Sequence, residues 1–386
     1  MPDTVPPHRA HLLCVVAARP NLMKMAPILA ALGRLRPAVD VSLVHTGQHD
    51  DAAMDARQFA ALGLAPPQLD LAVGPASHAQ QTAEVMRRFE PALRRLAPQA
   101  VLLVGDVNST LACALVAAKL GVPVLHVEAG LRSYDRRMPE EINRVLTDQL
   151  AELLFTSEPA ALNNLLLEGV AAARIHHVGN VMIDSLLAQL PRAVPTATVL
   201  ARAGRRDLLA AGQRYAVLTL QRPANVDHPA RLRKLMAAVR KISQQLPVIF
   251  PLDPHTRARL SEGGLLPPPD APGVACLPPA DYLEMLGLMK DASVVLTDSG
   301  GVQEETTALG VPCLTLRENT ERPITVSEGS NTVAGHDPAV ILALCEDILR
   351  HGGKTGRRPA LWDGQAAGRI AGVVDAWLQR RGAHAR

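Results

Sequence analysis

Short runs of apolar residues alternate with longer segments of helical spacing along this chain. Residues 100–104 and 122–127 are two such runs, and residues 111–120 between them have the spacing of a helix. A strand, a helix and a second strand in that order predict a parallel βαβ unit. The same pattern predicts further strands in the first half of the chain at 11–18, 39–45, 153–156 and 175–178.

The alternation is interrupted at residues 190–195, where two prolines stand close together, and it then starts again. A chain of 386 residues is too long for one ordinary core, so two domains are expected. We expect an α/β fold with a first domain at 1–184, a second at 185–364, and a C-terminal helix at 365–386 that packs back on the first domain. The second domain has predicted strands at 215–220, 248–252, 274–277, 294–296 and 313–316, and predicted helices around Leu235, Leu286, Thr306 and Leu344.

Composition excludes several classes of protein. Apolar residues make up 48% and charged residues 20%, which is typical of a globular protein. A net charge of +3 with 2% aromatic residues gives no support for nucleic-acid binding. No apolar run approaches the roughly 20 residues that a membrane span needs, and no secretory signal pattern is visible. The five cysteines lack CxxC spacing, so we expect reduced core residues of a cytoplasmic protein and neither metal ligands nor disulfides.

Acidic residues follow two neighbouring predicted strands. Asp106 comes directly after the first apolar run of the βαβ unit and its glycine, and Glu128 comes directly after the second. Ligands of open parallel sheets bind beyond the carboxyl ends of the strands, so both carboxylates are expected in one site. Glu140 adds a third acid, because Pro139 and two glutamates suit the first turn of a helix. Arg144 is expected one turn further along the same face.

Basic residues follow the first predicted strand. Arg19 and Lys24 stand in a predicted loop that runs into a helix, which places both cations near the same strand ends as the acids. They are candidate anion clamps, and for Lys24 an ordinary surface lysine is the alternative. His49, after the next strand, is interpreted as a capping or hydrogen-bonding loop residue in preference to a ligand contact.

A second anion-binding signal is the segment LTDSGGVQEE. A strand, the triplet Ser299, Gly300 and Gly301, and a helix would present backbone N–H groups and a helix dipole to a phosphate. A plain βα turn has the same pattern. Glu305, one turn into the helix, either accepts hydrogen bonds from ribose hydroxyls or lies on a solvated face. Arg322, after the next strand, either reaches the phosphate site or forms a loop salt bridge.

Taken together, these segments resemble the non-hydrolysing UDP-N-acetylglucosamine 2-epimerase family. The resemblance extends from about residue 12 to the final helix. The motifs that carry it are ARPNLMKMAP at 18–27, TGQHD at 46–50, GDVNST at 105–110, HVEAGLRS at 126–133, MPEEINRVLTD at 138–148, GNVMID at 179–184, TDSGGVQEE at 297–305 and TERP at 320–323. Their number and order make the resemblance specific, whereas one motif alone would not.

The resemblance implies the glycosyltransferase-B type of fold, in which two Rossmann-like domains face each other across a cleft. It implies that the second domain holds most of the UDP, that no metal or nicotinamide cofactor is used, and that the enzyme is a homodimer. The acid/base candidates that it implies are Asp106, Glu128 and Glu140. The substrate-binding positions that it implies are Arg19, Lys24, Ser299, Gly300, Gly301, Glu305 and Arg322.

The chemistry of such an enzyme agrees with the residues. Inversion of C2 without a redox cofactor can proceed by loss of UDP from C1 and of the proton from C2. Both then add back, with the proton on the other face. Two faces need two proton-transfer groups, hence more than one carboxylate. A helix N-terminus and the Arg/Lys pair would stabilise the departing diphosphate electrostatically.

The chain departs from the family in two motifs. Members commonly carry histidine after the first strand of the second domain, where this chain has Gln221. They often have His-Pro-Arg where this chain has Asp253, Pro254 and His255. Gln221 and His255 remain candidate substrate-binding residues, as does Arg144, but a glutamine cannot carry positive charge near neutral pH.

Three functions are open on the sequence alone. The first is a 2-epimerase that converts UDP-GlcNAc to UDP-ManNAc, or acts on a modified relative, for a surface polysaccharide. The second is a glycosyltransferase of the same architecture, for which three carboxylates are more than simple transfer needs. The third is a sugar-nucleotide-binding protein with little turnover, which Gln221 and Asp253 would suit.

Overall fold

The computed structural model of the protein describes residues 10–36, 39–47, 59–60 and 62–384. The chain divides into two compact units. Unit 1 contains Met1–Ser185 and Leu361–Arg386, and unit 2 contains Leu186–Ala360. Each unit is built around one parallel sheet flanked by helices, so the predicted α/β class is confirmed.

The sheet of unit 1 has the strand order β3-β2-β1-β4-β5-β6-β7, and its paired strands are parallel. Its strands are β1 (His11–Val16), β2 (Asp40–His45), β3 (Leu69–Asp70), β4 (Ala100–Val104), β5 (Val124–Val127), β6 (Leu153–Thr156) and β7 (Ile175–His177). This half of the chain contains helices α1 (Arg19–Leu32), α2 (His78–Leu96), α3 (Asn108–Lys119), α4 (Pro139–Leu150), α5 (Pro159–Leu167) and α6 (Val181–Gln189). The predicted βαβ unit is confirmed as β4, α3 and β5.

Helix α1 begins at Arg19, directly after β1, where the sequence predicted a loop. Pro20 stands in the first turn, where a helix needs no N–H from it. Pro27 lies inside the helix and cannot donate to the carbonyl of Met23 one turn earlier. The Ser185 hydroxyl donates to that carbonyl instead, which keeps the buried oxygen satisfied. A proline-rich segment therefore stays helical.

The sheet of unit 2 has the order β10-β9-β8-β11-β12-β13, again with parallel pairs. Its strands are β8 (Ala216–Thr219), β9 (Val248–Pro251), β10 (Val274–Leu277), β11 (Val294–Thr297), β12 (Cys313–Thr315) and β13 (Asn331–Val333). Its helices are α7 (Thr196–Arg202), α8 (Pro223–Val226), α9 (Pro229–Ile242), α10 (Pro254–Glu262), α11 (Tyr282–Lys290), α12 (Gly300–Leu309), α13 (Pro323–Ser327) and α14 (Pro338–His351). Short 3₁₀ turns lie at Ala172–Arg174 and Leu190–Arg192.

The last helix, α15 (Ala366–His384), belongs to unit 1 and shares an apolar core with α1. Its start is held by Asp184, whose carboxylate accepts the N–H groups of Ala366 at 3.1 Å and Ala367 at 2.7 Å. A carboxylate at a helix N-terminus satisfies donors that have no acceptor within the helix. Asp184, near the end of the first half of the chain, thus holds the start of α15, although the two are far apart in sequence.

Apolar side chains cover both faces of each sheet, as parallel sheets require. The five cysteines are free thiols; Cys14, Cys113, Cys313 and Cys345 are buried, and Cys276 is partly exposed. None of the helices in the described part of the chain is long and apolar enough to span a membrane. Within the described residues, no cluster of three or more His, Cys, Asp or Glu side chains is arranged to hold a metal ion.

Candidate active site

Asp106 and Glu128 lie side by side at the carboxyl edge of the first sheet. Strands β4 and β5 are paired, and just beyond their ends Gly105 N donates to Val127 O at 3.1 Å. A Cβ atom at Gly105 would stand 3.8 Å from Glu128 Oε2. The two acid-bearing loops are therefore in direct contact, which is the geometry expected from strand ends in a parallel sheet.

Each of these two carboxylates is held by a cation from a helix. Lys24 Nζ lies 2.6 Å from Glu128 Oε2, and both side chains are buried. Arg144, also buried, donates from Nη2 to Asp106 Oδ2 at 2.7 Å and from Nε at 3.2 Å. The alternative that Lys24 is an ordinary surface lysine is wrong. The first sheet thus carries two adjacent ion pairs at one edge.

The two glutamates at the start of α4 have different positions. Glu141 is buried, accepts hydrogen bonds from the Ser133 and Tyr134 N–H groups at 2.9 and 2.8 Å, and forms an ion pair with Arg144. Glu140 is partly exposed. The predicted i, i+4 relation of Arg144 to Glu140 is thus joined by an i, i+3 ion pair to Glu141, which the sequence analysis did not assign. Glu141 fixes the loop before α4 and the guanidinium beside Asp106.

Arg19 is the first residue of α1, and its side chain lies outside the described part of the structure. His49 lies entirely outside the described residues. Among the predicted residues of unit 1, the structure therefore brings together Lys24, Asp106, Glu128 and Arg144.

In unit 2 the predicted phosphate turn has the expected form. Ser299 is the residue before α12, and Gly300 and Gly301 are its first two residues. The first N–H groups of a helix have no acceptor within it, so this end of α12 offers donors to an anion. The Ser299 N–H is already used, because it donates to Thr297 Oγ1 at 3.0 Å. The next N–H groups along the chain are those of Gly300 and Gly301.

A buried acid that the sequence analysis did not single out stands at this turn. A Cβ atom at Gly300 would lie 2.6 Å from Glu321 Oε1, so a larger residue here would displace the Glu321 carboxylate. Glu321 is buried and lies 2.7 Å from Arg317 Nη2 and 3.3 Å from Arg222 Nη2. Burial alone would raise the pKa of the Glu321 carboxyl, but the charges of Arg222, Arg317 and Arg322 outweigh it and hold that pKa well below its usual range.

Glu305 and Arg322 are both internal. Glu305 is buried and accepts a hydrogen bond from the Tyr282 hydroxyl at 2.9 Å, so the alternative of a solvated glutamate is wrong. Arg322 is buried and lies 2.5 Å from Glu304 Oε1, so the salt-bridge alternative is confirmed, with a partner on α12. This buried pair holds the loop after β12 against α12.

Gln221 and His255 follow the ends of β8 and β9. The Gln221 side chain is exposed, and its N–H donates to Asp298 Oδ1 at 3.1 Å. His255 Nε2 lies 2.8 Å from Asp227 Oδ1, and its side chain is half-exposed. Asp298 is buried, which raises the pKa of its carboxyl although the Arg222 N–H and Asn225 Nδ2 also donate to it.

Several residues of these sites escaped the sequence analysis. In unit 1 they are His126, Arg132, Glu141 and Asp148, and in unit 2 they are Asp298, Glu304, Arg317 and Glu321. All of them except Arg317, which stands three residues before TERP, lie inside the quoted motifs, so the motifs were the available signal. Their roles depend on partners from other elements, which a motif does not reveal.

Comparison with known proteins agrees with this geometry. The family model "UDP-N-acetylglucosamine 2-epimerase" matches residues 33–375. UDP-N-acetylglucosamine 2-epimerase of Methanococcus maripaludis is 41% identical over 339 residues, which cover 87% of this chain and 91% of the relative. UDP-2,3-diacetamido-2,3-dideoxy-D-glucuronate 2-epimerase of Pseudomonas aeruginosa is 37% identical over 370 residues, covering 93% of this chain and 98% of the relative.

A solved structure is similar over the same length. The crystal structure of the Methanocaldococcus jannaschii UDP-GlcNAc 2-epimerase in complex with UDP-GlcNAc and UDP has a TM-score of 0.86 and 38% identity, covering 95% of this chain and 99% of that chain. The predicted glycosyltransferase-B type of fold, with two Rossmann-like domains, is thereby confirmed. Sequence, sheet topology and solved structures agree that the chain belongs to the UDP-N-acetylglucosamine 2-epimerase family, a family of isomerases.

Proposed function

We propose that this member of the family inverts C2 of a UDP-N-acetylhexosamine by eliminating and re-adding UDP. The observation that carries the proposal is the pair of adjacent strand ends in unit 1, where Asp106 and Glu128 stand side by side, each against a buried cation. Inversion at a carbon needs a proton acceptor on one face and a proton donor on the other. Two neighbouring carboxylates on separate loops meet that need.

The proposed reaction conserves atoms and electrons without a redox partner. A carboxylate takes the proton from C2, the C2–H electron pair forms a C1=C2 double bond, and the C1–O bond breaks so that UDP leaves with its electron pair. UDP then returns to C1 while the proton is delivered to the opposite face of C2. Asp106 and Glu128 are the proposed proton-transfer groups, and Glu140 remains a third candidate.

The cations beside the acids have a proposed part in this step. Lys24 and Arg144 orient the carboxylates, since each holds one carboxylate oxygen at hydrogen-bond distance. Arg19 is kept as a proposed diphosphate contact on motif grounds alone.

Unit 2 is the proposed seat of the UDP. The glycines that open α12 supply N–H donors and the positive end of a helix dipole to the diphosphate. Ser299, Glu305, Arg322, Gln221 and His255 complete the proposed binding set. Glu305 accepts a buried hydrogen bond and Arg322 forms a buried ion pair. We therefore propose that both residues position the loops around the UDP site.

Two sugar nucleotides are proposed as substrates. The Methanococcus relative is named for UDP-N-acetylglucosamine, and the Pseudomonas relative is named for a diacetamido glucuronate. Both are UDP sugars epimerised at C2, so the same proton-transfer groups would serve either. We propose UDP-GlcNAc as the first substrate to test, in a cytoplasmic route to a surface polysaccharide, with the diacetamido glucuronate as the second.

We also propose that the protein is a homodimer formed through unit 1. Among the described residues, five of the six exposed large apolar side chains belong to unit 1: Tyr134, Ile142, Leu146, Leu166 and Leu167. The Tyr134 hydroxyl donates to Asn164 on α5 at 2.6 Å, so the loop before α4 and helix α5 form one surface. A second copy would cover these side chains. Leu167→Glu, at a position 86% exposed, should give a folded monomer by light scattering.

One experiment tests the proposed reaction. The purified protein is incubated with UDP-GlcNAc in deuterated water, and C2 is followed by NMR. Deuterium at C2 together with a manno product is the expected result. The same incubation with the diacetamido glucuronate measures which sugar reacts faster. Sugar transfer that requires an acceptor, or binding of both nucleotides without exchange at C2, would contradict the proposal.

A further inference from the structure

His126 is a fully buried histidine between the two acid-bearing loops. It lies on β5, two residues before Glu128. Its Nε2 atom is 2.9 Å from the carbonyl oxygen of Gly105, the residue before Asp106. Its Nδ1 atom is 2.7 Å from Asp148 Oδ1 on α4. One imidazole ring therefore joins the ends of β4 and β5 to α4.

Both contacts of the ring are with oxygen acceptors. A carbonyl oxygen cannot donate a hydrogen bond, and a carboxylate accepts only. A neutral imidazole has one N–H, so it would leave one of its nitrogens facing an oxygen without a proton between them. Two hydrogen bonds require the doubly protonated ring. The geometry thus assigns an imidazolium to a site without solvent exposure.

The charge of that ring is balanced within the same network. Asp148 is fully buried, and its Oδ2 atom lies 2.7 Å from Arg132 Nη2 and accepts the Gly130 N–H at 3.0 Å. Arg132 in turn forms two hydrogen bonds of 2.7 Å with Glu168. Four alternating charges therefore run from His126 outward, and each has a partner, as a buried charge requires.

The electrostatics of the surrounding elements favour the protonated ring. The charged groups that face it are Asp148 from α4 and Glu128 from the loop after β5, which is itself paired with Lys24 of α1. Burial lowers the pKa of His126, but the hydrogen bond and charge of Asp148, the Gly105 carbonyl and Glu128 outweigh it and raise that pKa overall.

The network also supports a strained backbone. Glu128 has a φ of 67°, in the left-handed region that side chains other than glycine rarely adopt. Such a conformation is strained and persists only where neighbouring contacts hold it. Asp148 accepts a hydrogen bond from the N–H of Gly130, two residues after Glu128. Asp148 also contacts the ring of His126, two residues before Glu128. Glu128 is thus held from both sides.

We infer that His126, as an imidazolium paired with Asp148, is a positioning residue for both proton-transfer carboxylates. Through the Gly105 carbonyl it sets the start of the Asp106 loop, and through β5 and Asp148 it sets the strained Glu128 loop. Loss of its charge leaves the Gly105 carbonyl without a donor and loosens the two loops together. The inference rests on the proposed epimerase reaction.

The direct test reads the charge of the ring. NMR of the protein with ¹⁵N-labelled histidine, with His126 assigned by comparison with His126→Gln, is expected to show two protonated nitrogens at neutral pH. His126→Gln keeps a donor for one partner only, so kcat should fall by on the order of 10²-fold, the cost of a misplacement of about 1 Å. KM and UDP affinity should change little.

The matched control is His11→Gln, which removes a hydrogen-bonded histidine from β1 of the same sheet. That variant should keep the parent kcat. Asp148→Asn supplies the second readout. Because it removes the charge that favours the imidazolium, the alkaline limb of the kcat profile should move to lower pH, while a merely structural change would lower kcat equally across the profile.

The outcomes separate this inference from the proposed function. No exchange at C2 by the parent protein would overturn the proposed function. An active parent in which His126 carries one proton, or in which His126→Gln turns over at the parent rate, would overturn the inference alone. If neither variant folds, as judged by circular dichroism, His126 is assigned in the parent through the resonances of its own backbone, and the ¹⁵N spectrum over a pH series then decides the charge of the ring.

Discussion

Lys24 and Glu128 form a buried ion pair across 104 residues of sequence. Nζ lies 2.6 Å from Oε2, and the two side chains are 10% and 4% exposed. Loss of one partner from such a pair leaves an uncompensated buried charge, which costs about 3–5 kcal/mol. We expect Lys24→Met to destabilise unit 1 by that amount and Lys24→Met/Glu128→Met to recover much of it.

Fluorescence measures this effect in unit 1 alone, because the two tryptophans of the chain, Trp362 and Trp377, both belong to it. Denaturant titration gives the free energy of unfolding. The matched control is Arg94→Met, which breaks a solvent-exposed pair with Glu90 and should cost less than about 1 kcal/mol. Equal costs for the Lys24 and Arg94 variants would show that burial of the pair adds nothing.

The carboxylates at the strand ends should affect turnover and not UDP binding. Asp106→Asn and Glu128→Gln remove a proton-transfer group at nearly constant shape, so kcat should fall by about 10²–10⁴-fold. Calorimetry with UDP should give the parent affinity, since the proposed UDP seat belongs to unit 2. Glu90→Gln on α2 is the control for loss of a carboxylate. A variant with parent turnover would remove that residue from the proton-transfer role.

Substitutions of the two glycines at the start of α12 should have different effects on folding and on UDP binding. A Cβ at Gly300 meets Glu321 Oε1 at 2.6 Å, whereas a Cβ at Gly301 meets nothing within 4 Å. Gly301→Ala should therefore fold normally. Its methyl group would hold the diphosphate away from the N–H groups of the turn, and loss of one hydrogen bond to a charged group costs about 1.5–3 kcal/mol, so UDP binding should weaken by about tenfold or more. Gly300→Val should weaken UDP binding and also destabilise unit 2.

The control for the glycine variants is Gly368→Ala in α15, where a Cβ likewise meets nothing within 4 Å. It should leave the UDP affinity unchanged in calorimetry. Normal UDP binding by folded Gly301→Ala and Gly300→Val proteins would remove this turn from the proposed diphosphate seat.

Glu321 should make unit 2 acid-sensitive. Its pKa is lower in the folded protein than the usual 4.5, so the stability it contributes is fully present above about pH 4.5 and is lost as pH falls toward the folded pKa. Glu321→Gln leaves Arg222 and Arg317 without their buried partner and should cost about 3–5 kcal/mol at pH 7. The melting temperatures of the two proteins, measured by circular dichroism, should start to approach each other as the pH falls below 4.5. A constant difference down to pH 3 would contradict this assignment.

Gln221 should limit the reaction on plain UDP-GlcNAc. Its side chain is exposed beyond β8, and a neutral amide supplies no charge to a departing diphosphate. Loss of one electrostatic donor at a developing oxyanion costs about 10²–10³ in rate, so Gln221→His should speed the enzyme up at the lower end of pH 6 to 9, where the new imidazole is charged. The rates are compared with Gln213→His, a control at another exposed position of unit 2.

A fast parent with no gain from histidine would contradict that role for Gln221. A glutamine that instead fits a different sugar substituent would make Gln221→His slower on the diacetamido glucuronate. Rates on both nucleotides therefore tell a missing charge from an altered specificity.

Local sequence pattern was sufficient for the order of the elements and for the edge of each sheet that carries chemistry. Strand β4 and strand β5 are short apolar runs that end in a turn, so the positions of Asp106 and Glu128 beyond them follow from backbone hydrogen bonding alone. The two-residue β3 (LD) and the three-residue β13 (NTV) escaped prediction because neither forms an apolar run, whereas the equally short β12 lies in the apolar segment VPCLTL. Helix α1 begins earlier than predicted, because residues 19–27 were interpreted as a loop that runs into the helix.

Only the tertiary structure decided which charges are buried together. Lys24 forms an ion pair with Glu128, and Arg144 forms one with Asp106. Glu321 packs against Gly300. The residues of each pair are distant in sequence. A side chain's pattern along its own element shows which face it occupies, but the stability of a buried charge depends on partners that the fold brings from other elements. The sequence therefore determined which residues reach the sheet edges, and packing determined which of them hold the others in place.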